Sequence, residues 1–496
     1  MKIAQKTAYE KITSFIFLVM SVTIFQVPMT FASPISDIYE AINEGNLTKV
    51  MSIYNNSANQ ININDSTYPL LHRAVRHPKI IEFLLSKGAD INRLHCSYGR
   101  DHSNNGETPL QLAIGLNQTA SAKLLIEKGA DVKKTANRPL LHDVISSYGR
   151  DGDLLSEGKE LLGLLISHGA DPNGVDKEGK SPLHQAIDKH PFGMEKSPDG
   201  AQAATGFAKL LVESGANVNQ TNKEGDTPLY LSIVQRAEGI AELLLKHGAD
   251  PNRSNDAKYP FPTPLLSWAS YYNAPSIAKL LVKYHADINA TTNYEGEAPL
   301  VTAIHHSTET AKFLIDSGAD LKKISKNGYS FLHHAAYYNN SEIAEIFLKK
   351  GADPNLGQHG KFRTPLYVAA ERGGFEVCKI LIEAGASVDQ PNSESQHGKT
   401  PLHMAMWKRH PKVVELLLNA GADLEKTSKS DREQKEVLDI VNKYVSDEMK
   451  VKETITSLKN TASQIKNNDT GGDIDTKLTA FKEKVSAIEA ELPPSS

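Results

Sequence analysis

Between Thr364 and Asp389 the chain reads TPLYVAAERGGFEVCKILIEAGASVD, and its apolar positions fall into two helical sets. Leu366, Ala369 and Ala370 form one stripe at helical spacing. Thr364 can cap that helix, because its hydroxyl accepts an orphan backbone N–H. Pro365 suits the first helical position, where a missing N–H costs nothing. Gly373 and Gly374 end the helix. Val377, Cys378, Ile380, Leu381 and Ile382 then make a second, more apolar helix. Gly385 follows, where the chain can take a positive φ and stop. A helix pair this small cannot bury its own apolar face, so the pattern predicts stacking on copies of itself.

The copies are present. The opening recurs as SPLHQAI (181–187), TPLYLSI (227–233), APLVTAI (298–304), SFLHHAA (330–336) and TPLHMAM (400–406). The closing recurs as GADIN at Gly88, GADPN at Gly169, Gly248 and Gly351, and GADLE at Gly421, with His285 standing in for one glycine. Successive closings from 215 to 248, 285 to 318 and 318 to 351 are each 33 residues apart. On these residues the chain resembles the ankyrin-repeat family, whose period is about 33 and whose pattern is T-P-L-H-x-A. The resemblance covers residues 35 to 425. It implies an all-α solenoid of about eleven helix-turn-helix repeats with short β-hairpin fingers. It says little about function.

Repeats open near Pro69, Thr108, Pro139, Ser181, Thr227, Pro264, Ala298, Ser330, Thr364 and Thr400, after a divergent first repeat over 35–64. Pro69, Pro139 and Pro264 put proline at the cap position and leucine next, which predicts a different first turn. The extra residues of the N-terminal half are read as loops. One enlarges the hairpin before Thr108 (94–107), and two lie between the helices of a repeat, at 149–158 and 189–201.

Both ends depart from the repeat. Lys2, Lys6 and Lys11 precede an uncharged apolar run (14–27), then Pro28 and Thr30-Phe31-Ala32. This is the order of a secretory signal peptide over 1–32, cleaved after Ala32. An uncleaved anchor is the alternative. The solenoid is then assigned to 33–425. Over 426–496 apolar residues keep a 4-3 rhythm in two runs, Val437 to Ile465 and Ile474 to Leu492, joined by a Gly-Gly turn. This predicts a C-terminal helical hairpin or coiled-coil segment suited to weak self-association.

Charge and composition narrow the partner class. The net charge is −4, and removing three lysines and one glutamate with residues 1–32 makes it −6. A basic nucleic-acid binder is therefore not expected. Cys96 and Cys378 lie many repeats apart, and Cys378 falls on a buried stripe as a packed thiol. Most of the eighteen histidines follow the repeat. His72, His142, His184, His333 and His403 hold the TPLH position, where the family resemblance implies hydrogen bonds within and between repeats. No Cys/His/Asp cluster has metal-ligand spacing, and no cofactor signature occurs. HPFGMEKSPDG (190–200) begins like the HPF motif of Fic-type nucleotidyl transferases but lacks the Gly-Asn-Gly-Arg that follows in that family.

The expected function is a non-enzymatic protein-interaction scaffold of an exported bacterial ankyrin-repeat protein, periplasmic or secreted and free of the membrane once the signal is cut. The alternatives are an effector delivered to a host cell, or an enzyme activity hosted in the 149–201 insertions. The resemblance implies that the two residues after each inner-helix Ala pair face a concave groove. Here they are Tyr271-Tyr272, His305-His306, Tyr337-Tyr338, Glu371-Arg372 and Trp407-Lys408. Tyr271, Tyr272, His305, His306, Tyr337, Tyr338, Arg372, Trp407 and Lys408 are the expected partner-binding residues, because Tyr, Trp and Arg dominate binding hot spots. Tyr259, Phe261, Tyr294, Tyr329 and Phe362 on the fingers would extend the surface.

Overall fold

The computed structural model describes residues 34–57, 61–64, 69–95, 106–135, 138–148, 154–188, 198–253, 263–291, 297–357, 363–392 and 399–423. The signal peptide, Cys96, the heptad-patterned tail and residues 190–197 of the HPF fragment lie outside them. The chain divides into two compact units, Met1–Pro260 and Phe261–Ser496.

The first unit contains six helix pairs: α1 (Pro34–Asn43) with α2 (Leu47–Ser57), α3 (Leu70–Arg73, continued by a 3₁₀ turn) with α4 (Pro78–Ser86), α5 (Pro109–Gly115) with α6 (Thr119–Glu127), α7 (Leu140–Tyr148) with α8 (Leu155–Ser167), α9 (Pro182–Ile187) with α10 (Pro198–Glu213), and α11 (Pro228–Val234) with α12 (Glu238–Lys246). The second unit contains α13 (Leu265–Tyr271) with α14 (Pro275–Lys283), α15 (Pro299–His306) with α16 (Thr308–Asp316), α17 (Phe331–Tyr337) with α18 (Ser341–Lys349), α19 (Pro365–Arg372) with α20 (Phe375–Glu383), and α21 (Pro401–Trp407) with α22 (Pro411–Asn419). Within each unit the first helix of a pair packs on the first helix of the next, and the second on the second. The result is the all-α repeat solenoid that the periodicity predicts.

The helix starts follow from the cap residue. Thr108, Thr227, Thr364 and Thr400 each accept the N–H of the residue three positions on, as Tyr367 N–H does at 3.2 Å from Thr364 Oγ1. Pro69, Pro139, Pro264 and Ala298 carry no hydroxyl. There the same N–H turns to the cap residue's own carbonyl, at 2.9–3.2 Å, and the first turn tightens. The different first turn expected of the proline-led repeats is thus observed, and Ala298 shares it. The helix ends follow from the closing residue. Gly385 sits at φ 87°. Space is not the reason for glycine, since a Cβ there would meet nothing within 4 Å; the left-handed backbone is. His285 adopts the same region at φ 70°.

The core is the stripe read from Thr364 onward. Leu366, Ala369, Ala370, Val377, Cys378 and Leu381 are fully buried, and their equivalents repeat through both units. Burial pushes the Cys378 thiol up to about 12, so it is inert at neutral pH. Asparagines after the closing turns set the register between repeats. Asn355 accepts from Ser387 N–H at 2.7 Å and donates to Gly385 O at 3.1 Å, and Asn219 spans to Asp250 and Gly248 in the first unit in the same way.

Two expectations need correction. The insertions are not all loop. Leu155–Gly158 and Pro198–Ala201 lie in second helices, so α8 has 13 residues and α10 has 16 where α12 has 9. Leu155, Gly158, Leu161, Leu162 and Leu165 are buried in α8, so the inserted residues continue its apolar stripe instead of leaving it. The described parts of the fingers are not ladders. Among the described residues they contain single β-bridges, His95 with Glu107 and Ile324 with Ser330. A side chain supplies what the next rung would supply. Asn222 Oδ1 accepts from both Glu224 and Asp226 N–H, and Asp176 Oδ1 accepts from Glu178 and Lys180.

Candidate partner-binding site

The expected binding residues all lie in the second unit, at the C-terminal ends of α13, α15, α17, α19 and α21. Each first helix runs seven or eight residues past its cap, so the same two positions recur at every end. The pairs just before them, Ala269-Ser270, Ala303-Ile304, Ala335-Ala336, Ala369-Ala370 and Ala405-Met406, are buried. The two following positions are carried round to the open side. Tyr271, Tyr337 and Trp407 are 50%, 40% and 45% exposed, high for rings of this size. His305, Arg372 and Lys408 are exposed too. Tyr272, His306 and Tyr338 are half-buried. The stripe therefore has an open edge and a packed edge.

The rings touch in series. Tyr271 meets Tyr272 edge-on at 5.2 Å and His306 at 4.7 Å. His306 meets His305 at 3.8 Å, and His305 stacks on Tyr338 at 3.9 Å and 17°. Tyr338 meets Tyr337 edge-on at 5.0 Å, and the Arg372 guanidinium lies 3.8 Å over the Tyr337 ring. Three adjacent repeats and part of a fourth are thus joined by one run of ring contacts. Burial lowers the pKa of both His305 and His306, and their mutual repulsion adds to this at His306. Both shifts favour the uncharged imidazoles.

Sequence reasoning missed three members. Trp268 stacks on Tyr272 at 5.9 Å, one helical turn earlier on α13. Lys399 places its ammonium group 5.0 Å from the Trp407 ring, beside the expected Lys408 at 4.2 Å. Arg363 holds Glu371 at 2.8 Å and lies 4.9 Å over Tyr367. The spacing of four from Trp268 to Tyr272 was a readable signal. The positions of Lys399 and Arg363 depend on the finger and had none. Of the finger aromatics only Tyr329 is described. It is half-buried against His333 and His334, part of the packing more than of the open stripe. Tyr259, Phe261, Tyr294 and Phe362 lie outside the described residues.

The motif histidines His72, His142, His184 and His333 each join neighbouring repeats through Nε2. His184 Nε2 donates to Asp226 O at 3.0 Å, and His333 Nε2 to Arg363 O at 2.8 Å, each joining two repeats. With Nε2 protonated, Nδ1 must accept. It does so from the cap serine's N–H, at 3.2 Å from Ser181 and from Ser330. His72 and His142 make the same Nε2 bond, to Glu107 O and Lys180 O. Their caps are Pro69 and Pro139, which offer neither N–H nor hydroxyl, and their Nδ1 atoms are buried without a partner. Among the described residues no group of three or more His, Cys, Asp or Glu could hold a metal ion. No described helix is long and apolar enough to cross a membrane.

Comparison with known proteins follows the same repeat. Three copies of an ankyrin-repeats profile match residues 156–255, 266–358 and 356–428, and a single ankyrin-repeat profile matches 105–137. The chain is 25% identical over 298 residues to the E3 ubiquitin-protein ligase KEG of Arabidopsis thaliana, which is 59% of this chain and 15% of that protein. It is 28% identical over 153 residues to human transient receptor potential cation channel subfamily A member 1, 29% of this chain and 13% of the relative. It is 33% identical over 87 residues to human ankyrin repeat and KH domain-containing protein 1, 17% of this chain and 3% of the relative. The chain spans 15% or less of each of these relatives, and what they share with it is the stacked helix pair. With the caps, the closing turns and the repeat profiles coinciding over more than half its length, the chain belongs to the ankyrin-repeat family.

Proposed function

We propose that the chain is a non-enzymatic scaffold that holds a protein partner along the first-helix stripe of its second unit. Ankyrin repeats generally bind proteins, and membership of the family supports the class of partner. The observation that carries the site is the run of ring contacts from Tyr271 to Arg372 with Tyr271, Tyr337 and Trp407 left open to water. Large rings held in place by their neighbours lose little freedom on binding, so burying them gains more than burying mobile side chains would.

The three exposed rings make the cleaner test. Tyr272 stacks on Trp268 of its own helix and Tyr338 on His305 of the preceding repeat, so removing them would disturb the packing. Tyr271→Ala, Tyr337→Ala and Trp407→Ala are each expected to weaken binding of a partner captured from a native lysate by roughly 1–3 kcal/mol. Their denaturation midpoints should match the parent protein. Undiminished capture by the triple variant would place the partner elsewhere.

Export is proposed from the basic flank, apolar run and Thr30-Phe31-Ala32 of residues 1–32. Mass spectrometry of the protein made in an exporting bacterium should find Ser33 at the N-terminus. An intact Met1 in the membrane fraction would replace the signal peptide with an anchor.

A further inference from the structure

The stripe is not chemically uniform. At the α13–α15 end its open side chains are Tyr271 and His305, backed by the half-buried Tyr272 and His306, all rings without a carboxylate or an ammonium group. At the α19–α21 end cations predominate. Arg372 lies over Tyr337, and Lys399 and Lys408 both lie over Trp407. The stripe's one carboxylate, Glu371, is already held by Arg363 at 2.8 Å, with both groups about four-fifths buried. Among the described residues no ion pair joins a carboxylate to Arg372, Lys399 or Lys408.

Two ligand classes are disfavoured by these contacts. A cationic ligand, such as a methylated amine, needs an empty aromatic face. Tyr337 and Trp407 already present a guanidinium and two ammonium groups to such a ligand. Nucleic acid needs a long track of cations to meet successive phosphates. Here the cations are confined to one end, and the chain as a whole carries −4.

We infer that the stripe takes an extended protein segment with carboxylates at one end and apolar or aromatic side chains at the other. Its acidic residues lie over Arg372, Lys399 and Lys408, and its apolar residues over Tyr271 and Tyr272. This rests on the stripe being the partner site, as proposed above, and adds the chemistry and direction of the segment. Stacked cations suit the role: each ring fixes its ammonium or guanidinium group beside an apolar surface, so a carboxylate and an adjacent apolar side chain can bind together.

The test uses the full chain and three fluorescent probes: a short peptide with a glutamate-rich end and a leucine-rich end, the same peptide with lysine for glutamate, and a single-stranded oligonucleotide of matched charge. Anisotropy is expected to show binding of the glutamate peptide and roughly tenfold weaker binding of the lysine peptide. The double variant Arg372→Gln/Lys408→Gln should lose roughly tenfold for the glutamate peptide, while Lys279→Gln, on a second helix away from the stripe, should lose nothing. Raising salt should weaken the glutamate peptide in the parent and much less in the double variant. Equal binding of the two peptides, indifference to Arg372→Gln/Lys408→Gln, or preference for the oligonucleotide would each overturn the inference. The parent proposal fails on a different result, capture of the native partner by the triple ring variant. Should that capture be lost while the glutamate peptide is ignored, the stripe is the site and the acidic chemistry is wrong.

Discussion

Lowering the pH from about 7 to about 4.5 is expected to cost both units much of their stability, through histidines that fold uncharged. Burial lowers His72, His333 and His334 from 6.5 to about 4, and lowers His142 and His184 as well. The structural cause is visible at His184 and His333. Nε2–H is committed to the next repeat's carbonyl, and Nδ1 accepts from a serine N–H, so a proton on Nδ1 would face a donor. In the unfolded chain the same residues take up protons near 6.5. The unfolded state then binds more protons than the folded one between about 6.5 and 4, and stability falls as pH falls through that window. A shift from 6.5 to about 4 corresponds to roughly 3 kcal/mol for one histidine.

His333 and His334 repel each other when charged, so their contributions in the second unit are not simply additive. In the first unit Glu107 and Asp143 act in the opposite sense, because burial raises them and their protonation favours the folded state. The measurement is urea unfolding followed by circular dichroism at a series of pH values. The midpoint should fall steadily below about pH 6.5, and His333→Gln should flatten part of that fall. A midpoint constant down to pH 4.5 would show that these histidines do not limit stability.

Gly158→Ala should destabilise the first unit by about 3 kcal/mol, although glycine-to-alanine in a helix ordinarily gains about 1 kcal/mol. The sign is decided by space. A Cβ at Gly158 would lie 2.5 Å from Tyr148 Cβ and 3.1 Å from Phe207 Cζ. Neither neighbour can retreat. Tyr148 and Phe207 are 0% and 1% exposed, and the Tyr148 hydroxyl is tied to Thr119 Oγ1 at 3.1 Å. Gly163 on the same helix provides the control, since a Cβ there meets nothing within 4 Å. Gly163→Ala should gain up to about 1 kcal/mol from helix propensity alone. Urea midpoints of the two variants should therefore move in opposite directions. Two upward shifts would show that α8 gives way easily at the Tyr148 contact.

What the amino-acid order determined by itself is the repeat. Thr364, Pro365, the Ala369-Ala370 pair and Gly385 act within one turn of their own position, through a cap hydroxyl, a missing N–H, a small side chain and a positive φ. Such local chemistry is written in adjacent residues, and all ten openings from Pro69 to Thr400 are helix starts in the structure. The motif histidines, the packed Cys378 and the ends of five first helices were legible for the same reason. The extent of the insertions was harder, because Leu155–Gly158 reads equally well as a loop or as one more turn of α8. Only burial against Tyr148 and Phe207 decides between them.

Tertiary structure alone decided how the stripe is divided. Tyr271 and Tyr272 are adjacent and chemically identical, yet one is half exposed and the other packed. Tyr272 stacks on Trp268 of its own helix, while Tyr271 keeps half its surface open beside His306 of the next repeat. Glu371 and Arg372 divide likewise: Arg363, eight residues back and just before the α19 cap, holds the glutamate, and the arginine is left over a tyrosine from the preceding repeat. Contacts between residues about 35 positions apart leave no periodic mark on either segment. They depend on how two copies of one motif stack, because charge pairing and ring stacking act through distance in space, whatever the separation along the chain.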